Sequence, residues 1–200
     1  MGQSLDFIGS FIVAGIVTVI VFSLNASMNQ TAYMRTSEQI SQDAATNAMN
    51  ILQYDLYKAG YRVTTGEKIF AAESLKVSFA ADLNNNGTPL TVIYTVGATA
   101  QLTATKNITD RPLFRTVGTN ASVNIVQGMT DCSFAYYDTG GYAMSYSSLN
   151  AAKRALIRGI AIRLTVEPAN PVDTAYLKSP EPVVPVKISK TIWPKNLGVW

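Results

Sequence analysis

The chain has 200 residues with no histidine, one cysteine (Cys132) and a net charge of +3, while apolar residues make up 48% and charged ones 14%. That length suits one modest domain with a real core. The absence of histidine removes the commonest general base, pH switch and metal ligand. A lone cysteine excludes an intramolecular disulfide and a cysteine-rich metal site, and so small a charge argues against a nucleic-acid-binding face.

From Phe7 to Leu24 the sequence FIGSFIVAGIVTVIVFSL carries no charge. As a helix this run spans roughly 27 Å, close to the hydrocarbon thickness of a bilayer. A cleaved secretory signal fits it poorly, because Asp6 precedes the block and no Lys or Arg does. The β-branched run Ile16–Val21 is a weak helix former in water, but inside lipid an isolated span must satisfy its own backbone and so be helical.

Past Leu24 the chain turns polar without a break, with no proline before Pro89 and no glycine between Gly15 and Gly60. Ile40, Ala44, Ala48, Ile51, Leu52, Leu56 and Ala59 recur mostly at three- and four-residue steps, which predicts an amphipathic stripe. Gly60, shortly after Lys58, reads as a glycine C-cap with a cation in the last turn. One helix over about residues 4–59 is expected, roughly 80 Å long. Residues 1–27 would form its apolar half and 28–60 its amphipathic half, with 61–200 as a β-rich head.

Beyond Gly60 the helical period gives way to alternation. Strands are predicted at Leu75–Ala80, Leu90–Val96, Gln101–Lys106, Leu113–Val117, Val123–Val126, Cys132–Tyr137, Ile160–Val166 and Val183–Thr191. Asn86-Gly87, Gly140-Gly141 and Asn170-Pro171 punctuate them, and Asp138–Ser148 reads as a surface loop. Short connections favour an antiparallel sheet, one face of which would cover the helical stripe. The fold class is therefore α+β.

The run Leu52-Gln53-Tyr54-Asp55-Leu56-Tyr57-Lys58-Ala59-Gly60-Tyr61, behind an uncharged helix with an acid before it, resembles the helix end of PilW-like minor pilins and GspJ-like pseudopilins. The likeness continues through Asp82-Leu83-Asn84-Asn85-Asn86-Gly87, Val92-Ile93-Tyr94, Phe134–Asp138, the Arg163 strand and Thr191–Leu197. The resemblance implies a type IV pilin-like fold and a structural subunit of an extracellular filament. Its partners would be copies of itself or other pilins, the cytoplasmic membrane before assembly, the assembly machinery and a prepilin peptidase. A major subunit, a minor pilin or a pseudopilin priming a secretion filament all fit. The start differs from the usual bacterial pattern, since cleavage after Gly2 would place Asp6 fourth. Gly2-Gln3-Ser4-Leu5-Asp6-Phe7 looks closer to archaeal and Tad-type starts.

In the resembling families an acid near Asp6 neutralises the N-terminal amine of a neighbouring subunit, and Phe7 and Phe11 would share that assembly surface. An interfacial acid favoured by the helix N-terminus is the plainer reading of Asp6. Asp82, Asn84 and Asn86 match the first half of a calcium loop, but Ile93 stands where the closing acid belongs, so an Asn-Gly hairpin turn is favoured. Arg154, Arg158 and Arg163, with Lys153, are either a solvated face or contacts to a neighbouring subunit. Asn25, Asn29, Asn86, Asn107 and Asn120 each begin an Asn-x-Ser/Thr glycosylation sequon. Tyr136, Tyr137, Tyr142 and Tyr146 cluster about the glycine-rich loop. No catalytic constellation is present, so no enzymatic activity, cofactor or nucleic-acid partner is expected. From a different class, a single-span membrane-anchored binding or sensor module on a helical stalk remains open, and would need a defined pocket in its head.

Overall fold

The computed structural model describes residues 2–102, 105–146, 149–169 and 184–198, with the backbone alone over 2–5. Its first element is a single helix, α1 (Gly2–Tyr57). The chain divides into two compact units, 1–39 and 40–200, with the boundary inside that helix.

The described residues of the first unit, 2–39, are all helix. Its hydroxyl side chains turn back onto the preceding turn: Ser10 Oγ donates to the Asp6 carbonyl and Thr18 Oγ1 to that of Ala14, both at 2.8 Å. This i→i−4 bonding satisfies the hydroxyls of Ser10 and Thr18 within the helix itself.

In the second unit the helix leads into strands β1 (Ile69–Ala72), β2 (Lys76–Ala81), β3 (Leu90–Val96), β4 (Leu113–Val117), β5 (Val123–Asn124) and β6 (Met129–Tyr137). A one-turn helix α2 (Ala151–Arg154), capped by the Asn150 side chain, precedes β7 (Gly159–Val166) and β8 (Val186–Ile192). The strands form two antiparallel sheets, ordered β1-β2-β3-β4-β5 and β6-β7-β8. The fold is thus α+β as expected, but with two sheets in place of one. They join where Phe134 N of β6 donates to the Ser74 carbonyl between β1 and β2, at 2.9 Å.

One continuous core draws on the helix and both sheets. Ala45, Ala48, Met49, Leu52, Leu56 and Ala59 meet Phe79, Tyr94, Phe134, Tyr136, Ile160 and Ile162 there. Cys132 lies buried in it, and burial pushes its thiol pKa up to about 12. Two members of the expected stripe are corrected: Ile40 and Ile51 are 63% and 37% exposed. The buried face runs through residues 41, 45, 48, 52, 55 and 59, a phase slightly rotated from the one the aliphatics alone suggest.

Among its described residues, 101–102 and 105–106, the predicted strand Gln101–Lys106 does not form. Gln101 closes a 3-10 turn (Thr99–Gln101), its side chain accepting from Ala98 N, and Lys106 N bonds the Ala169 carbonyl at 3.1 Å. The donors of Gln101, Leu102 and Lys106 therefore serve loop contacts instead of a ladder. β1 and α2 are absent from the sequence reading. Asn170-Pro171 and the start of the predicted strand Val183–Thr191 lie outside the described residues.

Candidate functional site

Phe7 and Phe11 sit one turn apart, ring centroids 6.4 Å from one another, and are 71% and 72% exposed. Ile8, Ile12, Ile16, Val19, Ile20 and Phe22 are exposed as well. The helix is long and apolar enough to cross a membrane, and its most apolar stretch is not buried inside the chain. Such a surface is unfavourable in water and calls for lipid or other helices. Asp6 is exposed at the start of this stretch. Asn25 and Asn29 lie farther along the same helix, with Asn29 Nδ2 donating to Asn25 Oδ1 at 3.3 Å.

The helix exit and the β2–β3 loop interlock. Gly60 adopts φ +78°, and a Cβ there would stand 2.9 Å from the Asn196 carbonyl oxygen, so the C-cap position admits only glycine. Lys58 Nζ donates to the Leu83 carbonyl at 2.8 Å. Arg62 Nη1 donates to Asp82 Oδ2 and to the Asn85 carbonyl, each at 2.9 Å. Asp82 is buried and also accepts from Asn86 N at 3.1 Å and Gly87 N at 2.8 Å. Burial alone would raise its pKa, but Gly87, Arg62 and Asn86 together more than offset that and lower it. These donors occupy the oxygens a cation would need. The turn is longer than a two-residue hairpin, with left-handed φ at Asn85 and Gly87 rather than at the Asn86-Gly87 pair. Asn84 and Asn86 are exposed, and Asn86 Oδ1 accepts from Thr88 N.

The residue that the sequence reading passed over is Asp55. Its carboxylate, 1% exposed, accepts from Tyr94 Oη at 2.5 Å, Arg115 Nε at 2.6 Å and Arg115 Nη2 at 3.1 Å. The helix is thereby fixed to β3 and β4 through a bidentate ion pair and a phenol. Burial, together with the Asp55 charge and hydrogen bond, raises the Tyr94 pKa far above its ordinary value, and the Asp55 hydrogen bond raises that of Arg115. Beside this network lies an open groove of about 540 Å³, lined by Ile51, Tyr54, Arg115, Val117, Val123 and Ile125 among others.

The basic residues do not gather into one patch. Arg154 pairs with Glu67 at 3.2 Å and donates to the Ile69 and Leu149 carbonyls, which docks α2 onto β1. Arg158 Nη1 donates to the carbonyls of Ala155 and Ile157. Arg163 stands exposed on β7, opposite Ser133 and Ser189 of its neighbours. Of the tyrosines, Tyr136 is buried with Tyr146 packed edge-on against it, Tyr137 leans on Trp193, and Tyr142 is exposed. Asn120 is exposed after β4, whereas Asn107 Nδ2 donates to Glu167 Oε2 at 3.2 Å.

No family model, curated protein or solved structure matches this chain.

Proposed function

We propose that this chain is a structural subunit of a type IV pilus-like filament, held in the cytoplasmic membrane by its N-terminal helix before assembly and by neighbouring helices afterwards. What supports the reading is one helix with two opposite surfaces. Its first part is apolar on every side and exposed, and residues 41–59 bury a single stripe under a β head. A membrane anchor alone needs only the first part. A filament subunit uses both parts, the first packing with other copies and the second belonging to the core of its own head. The order of the pilin-like segments along the chain supports the same reading, and their kind favours a minor pilin or pseudopilin role within it.

Electron microscopy of native surface material is the direct test. The expected result is regular filaments containing this chain, with Asp6→Ala lowering filament yield while the detergent-solubilised subunit keeps its melting temperature. Dispersed membrane monomers with no filament, or an undiminished yield from Asp6→Ala, would overturn the assembly role. The mass of the intact N-terminus reports whether a leader peptidase acts.

A further inference from the structure

The β3–β4 connection is pinned to the segment that follows β7. Lys106 N and Asn107 N both donate to the Ala169 carbonyl, Asn107 Nδ2 donates to Glu167 Oε2, and Glu167 N donates to the Gly128 carbonyl. Within this junction Asp110 is 1% exposed, and neither of its carboxylate oxygens has a hydrogen-bond partner. The Thr105 hydroxyl is buried, likewise unpartnered, and lies against Asp110 without the geometry of a hydrogen bond. Another acid, Glu167, is linked to Asp110 through Asn107, whose carbonyl accepts from Asp110 N at 3.2 Å and whose amide donates to Glu167 Oε2 at 3.2 Å. Among the described residues the ion pairs are Arg62–Asp82, Arg115–Asp55 and Arg154–Glu67, and none includes Asp110.

A buried carboxylate without donors is strongly unfavourable unless a proton or a cation neutralises it. Burial, and after it repulsion from Glu167, raises its proton affinity, with Thr105 opposing them. A proton would neutralise Asp110 and let it share one hydrogen bond with Thr105, but would leave its remaining carboxyl oxygen unsatisfied. A hard divalent ion takes carboxylate and hydroxyl oxygens together and offsets the second acid as well.

We propose that Asp110, Thr105 and Glu167 form a calcium site that clamps the β3–β4 connection to the end of β7, with water and backbone carbonyls completing the shell. Calcium is favoured over magnesium because its coordination tolerates an irregular, partly protein-built oxygen shell. Asn107 is a positioning residue, holding Glu167 through its amide. The site is separate from the Asp82 loop, and the proposal does not depend on filament formation, since binding is measured on dispersed subunits.

The test uses the full chain in detergent micelles, stripped with chelator and titrated with calcium chloride by calorimetry and thermal melting. The expected result is one saturable heat and a midpoint raised by about 3–8 °C at ~10 mM calcium. Asp110→Asn should abolish both, while Asp82→Asn keeps both. Thr105→Val, which removes one ligand and little volume, should weaken binding roughly tenfold. Absence of heat and shift in the wild-type chain overturns the site, as does a response that survives Asp110→Asn or is lost in Asp82→Asn. Unchanged affinity in Thr105→Val would do so even if Asp110→Asn failed to fold. An equal midpoint shift with magnesium overturns the choice of calcium.

Discussion

The β2–β3 loop and the β3–β4 connection each bury an aspartate in a turn that contains asparagine, yet the two carboxylates are held in opposite ways. Asp82 opens its loop, so the N–H groups of Asn86 and Gly87 downstream fold back onto it. Asp110 closes its turn. Its own downstream N–H, on Arg111, is committed to the Met129 carbonyl at 2.7 Å, and Asn107 takes the capping role by accepting from Thr109 N. Position within a turn thus decides whether the backbone can solvate a buried acid. The segment that reads like a metal loop is internally satisfied, and the one with no such motif has oxygens left over.

Asp55 sets the upper limit for this comparison, because it has both a cation and a phenol. Asp55→Ala should destabilise the chain by roughly 3 kcal/mol in urea unfolding, the low end for a broken buried pair. The low end applies because the abandoned Arg115 side chain is already 29% exposed. A loss near zero would mean that the ion pair only balances its own desolvation.

The next effect is on pH dependence at the β2–β3 loop. A carboxylate whose folded pKa is lowered contributes stability that is present above its unfolded pKa and lost as pH falls through the folded value. Wild-type melting temperature should therefore drop on acidification below about pH 4, and Asp82→Asn should flatten that drop. Tyr94→Phe, which removes one of the three hydrogen bonds to Asp55, should cost about 1 kcal/mol by the same urea measurement.

The smallest effect has the opposite sign. With its folded pKa raised, Asp110 binds more protons folded than unfolded, so in chelator its contribution falls as pH rises from about 4 through the folded value. Asp110→Asn should remove that slope and, at neutral pH in chelator, leave the chain about 1 kcal/mol more stable. A variant less stable than wild type under those conditions would erase the contrast between the two loops.

Much of this architecture was legible in the residues, and the gaps have physical causes. Unbroken helix over residues 2–57 follows from the absence of proline and, past Gly15, of glycine, and β3 and β4 match their predicted limits, β3 through its alternation and β4 through the Pro112 and Gly118 that bound it. Gln101–Lys106 alternates just as well. Alternation records which faces a strand could present, while a ladder also needs an adjacent edge, and here Lys106 N is drawn to Ala169 instead. β1 is too short and uniformly apolar to show a period. Asp55 could have been found, since it lies three residues after Leu52 and four before Ala59 on the buried stripe, where a charge demands a partner. Its partners Tyr94 and Arg115 sit on separate strands, and no local pattern points to them. Asp110 gave no local signal either, because what marks it is the absence of donors in three dimensions.

The clasp at Gly60 bears on the order in which the chain can finish folding. Lys68 Nζ donates to the Asn196 carbonyl at 2.5 Å, and that carbonyl also crowds Gly60, while Lys190 donates to the Gln53 side chain. Each contact joins positions more than a hundred residues apart, so loop-closure entropy must be overcome before either forms. During synthesis the helix exit therefore waits, without its cover, until residues 190–196 have emerged. On the proposed membrane anchoring, residues 7–24, made long before, would have had time to enter the bilayer by then, and the head would be sealed only on a chain already anchored.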